Sequence, residues 1–184
     1  MIFINECHSL LRMELFLMQV LKDEIKNNIL NASRKEFLIN GFENTSIKRI
    51  TKNAKTSTSN IYNYFDDKDA LFYAVTEEAR KKIKENYTNL YNGNSKRSVE
   101  TYTLTAQKEI IIDFIALVME HQDDFRLLFF KSAGSSLSGY KNQIINSLSD
   151  VLENWVKGIS PSKNLSRVFI CSIARFYIGA IEQL

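Results

Sequence analysis

The sequence predicts an all-α protein: a three-helix head followed by a larger helical bundle. Breakers are scarce. There is one proline, Pro161, and there are six glycines in 184 residues, whereas a strand-rich fold needs a turn signal about every ten residues. Apolar residues recur at helical rather than alternating spacing. A hydrophobic content of 45% beside 24% charge supplies a core and excludes a disordered chain. The chain divides into an N-terminal extension over 1–21, a head over 22–82 and a bundle over 83–184.

The first 21 residues are apolar, but they do not read as a signal peptide. Glu6, Arg12 and Glu14 interrupt the apolar part, and no basic region leads it. Leu10, Leu11, Leu15, Met18, Leu21 and Ile25 fall at helical spacing, giving an extra helix or an extension of the next one; Met13 and Met18 are alternative starts. A helix over 23–40 buries Ile25, Ile29, Ala32, Phe37 and Leu38, turns Lys26, Arg34, Lys35 and Glu36 outward, and stops at Gly41. Thr45 or Ser46 caps a second helix to about Asn53, with Ile47 and Ile50 inward. Ser57 caps a third, 57–63, with Ile61 and Phe65 inward. Asp66 and Asp67 cap a long fourth helix, 67–91, with the stripe Leu71, Phe72, Val75, Ala79, Ile83, Tyr87 and Leu90. Asn92-Gly93-Asn94-Ser95 ends it. Four more helices follow at 104–121, 123–132, 138–158 and 162–184, the last begun by Pro161.

Charge is concentrated. Residues 44–65 hold Lys48, Arg49, Lys52 and Lys55 and no acid, so they carry +4 of a net +3, and the rest of the chain sums to −1. The second and third helices are too short to stand alone and must be held by neighbours. Two short helices joined by a tight turn, over about 45–64, form a helix-turn-helix, whose second member is presented to the major groove. Its outer face carries Thr58, Ser59, Asn60 and Asn63, short polar groups suited to base edges. Thr45, Ser46, Thr56 and Ser57 stand at the helix ends. The basic residues can neutralise phosphates, and the hydroxyls of Tyr62 and Tyr64 can reach phosphate oxygens. Lys68, in the first turn of the fourth helix, opposes the helix dipole unless an anion is near. For four basic residues alone a solvated face is the better explanation; their coincidence with the helix-turn-helix favours DNA. Lys22 and Lys26 are weaker candidates.

The stretch from Ile29 to Leu71, about a quarter of the chain, resembles the DNA-binding domain of TetR-family transcriptional regulators. Its specific parts are Phe37-x3-Gly41-Phe42, Thr45-Ser-Ile-x2-Ile50 and Ile61-Tyr62-x-Tyr64-Phe65-x2-Lys68-x2-Leu71. The resemblance implies a homodimeric all-helical regulator. It also implies that the last helices form the dimer interface and the middle ones enclose a ligand pocket. The chain departs from the pattern at Thr51, where a small residue is usual, at Lys55, where glycine is usual, and at Thr56, where an aliphatic residue is usual. If Lys55 has positive φ, it carries about 1 kcal/mol of strain.

In the second half, Phe114, Leu117, Val118, Phe125, Phe129, Trp155, Phe176 and Tyr177 are candidates to line an apolar cavity; core and dimer interface explain the same residues without one. The last helix, with Leu165, Val168, Phe169, Ile173, Phe176, Ile178 and Ile181, is apolar around more than half its circumference and is expected to be buried on two sides. No paired carboxylates, Ser/His/Asp set, glycine-rich phosphate loop or metal motif is present. Cys7 and Cys171 are isolated, fitting reduced thiols in a cytoplasmic protein. The expectation is a cytoplasmic, homodimeric, ligand-responsive repressor on a palindromic double-stranded DNA operator. Its ligand is expected to be small and apolar or aromatic, with no metal, cofactor, membrane or enzymatic activity. The alternatives are a helical interaction adaptor, or an enzyme with a vestigial helix-turn-helix.

Overall fold

The computed structural model describes residues 2–96, 112, 115–160, 162 and 165–182, with backbone alone for 2–11, 87, 89–96, 155 and 159. Every regular element among them is a helix: α1 (Ile2–Asn44), α2 (Ile47–Asn53), α3 (Thr58–Tyr62), α4 (Lys68–Val75), α5 (Glu77–Lys96), α6 (115–120), α7 (Gln122–Phe130), α8 (Tyr140–Ile159) and α9 (Arg167–Ile181). No helix among the described residues is long and apolar enough to cross a membrane. The chain divides into two compact units. One is Met1–Glu36 with Thr45–Val75; the other is Phe37–Asn44 with Thr76–Leu184.

In the first unit the extension and the first head helix are one helix, α1. The predicted stripe residues Leu15, Met18 and Leu21 of the extension are exposed, together with Met13, Phe16, Leu17 and Val20. The core of the unit holds Ile29, Ile50, Ile61, Phe65, Leu71 and Phe72, which the spacing assigned inward. Ile47 is half-buried. Glu36 corrects the sequence expectation. It is only 9% exposed, and its carboxylate accepts from Asn53 Nδ2 at 2.6 Å. A carboxylate can stay buried when such bonds replace its hydration. Thr51, where a smaller residue was expected, is also buried, and its hydroxyl donates to the Lys48 carbonyl at 2.8 Å. Asp67 caps α4, accepting from the Ala70 N–H at 2.7 Å.

The predicted helix 67–91 is instead two, interrupted at Thr76. Thr76 is fully buried, and α5 restarts from it with Arg80 N–H on its carbonyl at 3.1 Å and Arg80 Nε on its Oγ1 at 3.4 Å. β-branched Thr suits a helix start better than an interior, and Glu77 and Glu78 supply first-turn acids. This break coincides with the passage of the chain from the first compact unit to the second at 75–76. Helix α5 also continues through Asn92–Ser95 to Lys96. An interior glycine such as Gly93 costs about 1 kcal/mol and does not compel a stop.

In the second unit Gly41 leaves helical geometry at φ 73° and ψ 168°, a backbone that glycine adopts freely. Next to it, Phe42 N–H donates to the Lys131 carbonyl at 2.8 Å, and the Phe42 ring stacks on Phe37 at 6.0 Å. Val118, Phe125, Leu128, Phe129, Ile145, Ala174 and Ile178 belong to one buried cluster. Phe129 meets Phe125 edge-on at 5.4 Å and stacks on Tyr140 at 6.4 Å. Helix α8 lies along α9. The start of α9 also differs from expectation: Pro161 lies outside the described residues, and Ser166 is the cap, its Oγ accepting from Phe169 N–H at 3.3 Å.

Candidate nucleic-acid interface

Two serines set the limits of the helix-turn-helix. Ser46, in extended geometry, caps α2 by accepting from Arg49 N–H at 3.4 Å. Ser57 caps α3 by accepting from Asn60 N–H at 3.1 Å. Both satisfy donors that the first turn leaves without an intrahelical acceptor. Between the helices the chain reverses through a Schellman arrangement. Thr56 N–H donates to the Thr51 carbonyl at 3.0 Å and Lys55 N–H to the Lys52 carbonyl at 3.4 Å. The residue at the left-handed position is Lys55, with φ 51°, the positive-φ non-glycine residue among the described ones. The turn geometry demands that angle, and lysine accepts it at about 1 kcal/mol.

Helix α3 has five residues. Its anchor is Ile61, fully buried, followed by buried Phe65. With that face fixed, Thr58, Ser59, Tyr62 and Asn63 are exposed, Tyr62 by 49%. Asn60 is half-buried, and its Nδ2 donates to Thr56 Oγ1 at 2.8 Å. That bond orients the Asn60 amide and engages the Thr56 hydroxyl. Tyr64 is half-buried, its ring 6.4 Å from that of Phe65. Lys48, Arg49, Lys52 and Lys55 are all exposed. The resulting surface has short polar groups on α3, cations on α2 and the turn, and no acid between Asn44 and Phe65.

Thr45 departs from the sequence assignment. It is buried, and its hydroxyl donates to the Glu36 carbonyl at 3.1 Å, so it fastens α1 to the start of α2 rather than facing a ligand. Lys68 is half-buried, and its Nζ donates to the Thr45 carbonyl at 3.1 Å. An acceptor within the chain thus relieves part of its conflict with the α4 dipole. Sequence reasoning missed Glu36 as the partner of Asn53. The spacing 29, 32, 36 places it on the buried stripe, but its charge argued it outward.

The sequence pattern of bacterial regulatory proteins of the tetR family matches residues 29–75, the segment that builds this surface. Over that segment, about a quarter of the chain, the protein is similar to the tetR family. It is similar to the HTH-type transcriptional regulator HbdR of Aromatoleum sp. (strain CIB), 28% identical over 117 residues; the match covers 62% of this chain and spans 47% of HbdR. Among solved structures, a TetR-like regulator from Rhodococcus sp. RHA1 superposes with a TM-score of 0.61 at 20% identity, covering 86% of this chain and 80% of that one. FadR of Bacillus subtilis, solved with stearoyl-CoA, gives 0.50 at 16%, covering 82% and 81%. At such identities the structural likeness establishes the all-helical TetR fold. The matched segment is the one that folds into the helix-turn-helix described above.

The candidate effector residues separate into groups. Val118, Phe125 and Phe129 lie in the packed core of the second unit, with Leu117 against it. Phe176 and Tyr177 do not join them. Phe176 is 74% exposed, on the opposite side of α9 from buried Ile170, Ala174 and Ile178, and the exposed Tyr177 borders that buried stripe. A helix period of 3.6 places 170, 174, 178 and 181 on one stripe, 177 at its edge, and 168, 169 and 176 on the far side. Phe114 lies outside the described residues, and Trp155 is described in its backbone alone.

Proposed function

We propose that this protein is a TetR-family, ligand-responsive repressor that binds a near-palindromic operator as a homodimer in the cytoplasm. The observation that carries the DNA reading is the α3 surface: exposed Thr58, Ser59, Tyr62 and Asn63, flanked by exposed Lys48, Arg49 and Lys55 and held by buried Ile61. Each subunit places α3 in a major groove, and a two-fold axis demands an inverted repeat with half-sites about one helical turn apart.

The outer face of α9 supports a dimer. Val168 is 77% exposed, beside Phe169, Phe176 and Tyr177. A surface this apolar is suited to burial against its own copy. Support for an apolar or aromatic effector comes from the aromatic core around Phe125 and Phe129 and from the acyl-CoA held by FadR. A ligand that binds better to a conformation with wrongly spaced α3 helices releases the operator by that difference in affinity.

The deciding experiment is protection of the DNA just upstream of the protein's own coding region. An inverted repeat, protected by a dimer and released by raised salt, is the expected result. Protection of a single half-site by a monomer, or no salt-dependent retention on DNA, overturns the proposal.

A further inference from the structure

A groove of about 770 Å3 lies on the first unit beside the helix-turn-helix. One wall is a stripe of α1: Asn28, Asn31 and Lys35, with buried Ala32 as the floor. Spacings of three and four residues place them on a single helix face. The other wall is the end of α2 and the turn, Asn53 and Lys55 with Ala54. The residues lining the groove bring two ammonium groups and three carboxamides, and no carboxylate. Asn53 is held in place by its 2.6 Å bond to the buried carboxylate of Glu36.

Lys55 supplies a second, independent observation. It occupies the left-handed position of the turn at φ 51°, where glycine carries no strain, and it is exposed, so packing does not account for it. A strained exposed residue points to a role for its side chain. That side chain adds a cation to the groove, two residues before the Ser57 cap of α3.

We propose that this groove binds phosphate, and that its occupant is the sugar–phosphate backbone of duplex DNA flanking the half-site read by α3. Lys35 and Lys55 neutralise phosphate oxygens, and the amides of Asn28, Asn31 and Asn53 donate to them. The footprint of the head then extends from α2 and α3 onto α1. The proposal rests on the DNA-binding reading above for the source of the phosphate, but not for the chemistry of the groove.

The test compares the full-length protein with the Lys35→Gln/Lys55→Gln double variant, on operator and on non-operator duplexes, across a salt series. Neutralising two phosphate contacts is expected to make the slope of log K against log salt shallower by about 1.8, by the same amount on both DNAs. Asn31→Asp leaves both lysines and sets a carboxylate in the groove; it is expected to weaken binding more than Asn31→Ala does. A second arm follows the side-chain amide resonances of Asn28, Asn31 and Asn53 against inorganic phosphate without DNA. Saturable shifts that vanish in the double variant support the phosphate site, even if the slope is unchanged and the source is a free phosphorylated molecule. An unchanged slope together with no saturable shift overturns the proposal. If wild type shows no salt-dependent DNA binding while Lys48→Ala/Arg49→Ala behaves identically, the DNA reading fails, and the phosphate arm alone decides the groove.

Discussion

Lys68 Nζ donates to the backbone carbonyl of Thr45 at 3.1 Å, joining the first residue of α4 to the junction before α2. The same Thr45 sends its hydroxyl to the Glu36 carbonyl, so one residue links α1, α2 and α4. Replacing Lys68 by Met removes a charge-assisted bond and is expected to destabilise the protein by about 1 kcal/mol, read as a lower urea midpoint. Thr45→Val, which keeps the shape and loses the hydroxyl, leaves the Lys68 bond in place and should cost a similar amount. Neither effect should depend on the presence of DNA.

The left-handed turn residue gives the opposite sign for stability and for binding. Lys55→Gly removes the strain at φ 51° and should raise stability by about 1 kcal/mol. The same change deletes a cation and should make the salt slope of DNA binding shallower by about 0.9. Thermal unfolding and a binding series on one preparation check both signs.

Anchor and reading residues of α3 should separate cleanly. Ile61 is fully buried, so Ile61→Ala leaves a cavity and is expected to cost about 3 kcal/mol; DNA binding fails because the head loosens. Asn63 is exposed, so Asn63→Ala should change stability by less than about 0.5 kcal/mol while reducing operator discrimination by about 1–3 kcal/mol. Calorimetry and competition binding distinguish the two.

Acid stability should respond to one surface cluster. Glu153 accepts from Lys157 Nζ at 2.8 Å and Arg167 Nη1 at 2.9 Å, and Arg167 also reaches Asp150 at 2.7 Å. Hydrogen bonds from Lys157 and Arg167 hold the Glu153 carboxyl below its usual value. Bonds to Asp150 and Glu153 raise the Arg167 guanidinium above its own. Glu153 therefore binds fewer protons folded than unfolded. Its contribution is present above the ordinary carboxylate value of 4.5 and is lost as pH falls below that through the lowered folded value. Arg167 stays charged throughout. Glu153→Gln should flatten the fall of Tm in this window, and high salt should shrink the difference because the pair faces water.

The outer face of α9 tests the dimer. Phe176→Glu places a charge on a side chain that is largely exposed within one protomer, so the helical circular dichroism signal should persist. Sedimentation is expected to change from dimer to monomer. Dimers that survive the substitution would place the interface elsewhere.

Helical periodicity and local capping chemistry alone fixed much of this protein. Ile29, Ile50, Ile61, Phe65, Leu71 and Phe72 are buried at the positions their spacing assigns. Ser46, Ser57 and Asp67 cap as their side chains dictate, and the φ of Lys55 follows from the turn it occupies. These features depend on neighbours within a few residues, so a linear sequence displays them. Only the tertiary structure decided the fates of Glu36 and Thr45. A carboxylate and a hydroxyl are polar by themselves, and each is buried because a partner well away in the sequence completes it: Asn53 for Glu36 and the Glu36 carbonyl for Thr45. It also decided that Phe176 faces outward. Periodicity counts apolar faces, but which face of α9 meets its own subunit depends on where α8 lies. That placement is set by packing across the bundle rather than by the helix itself.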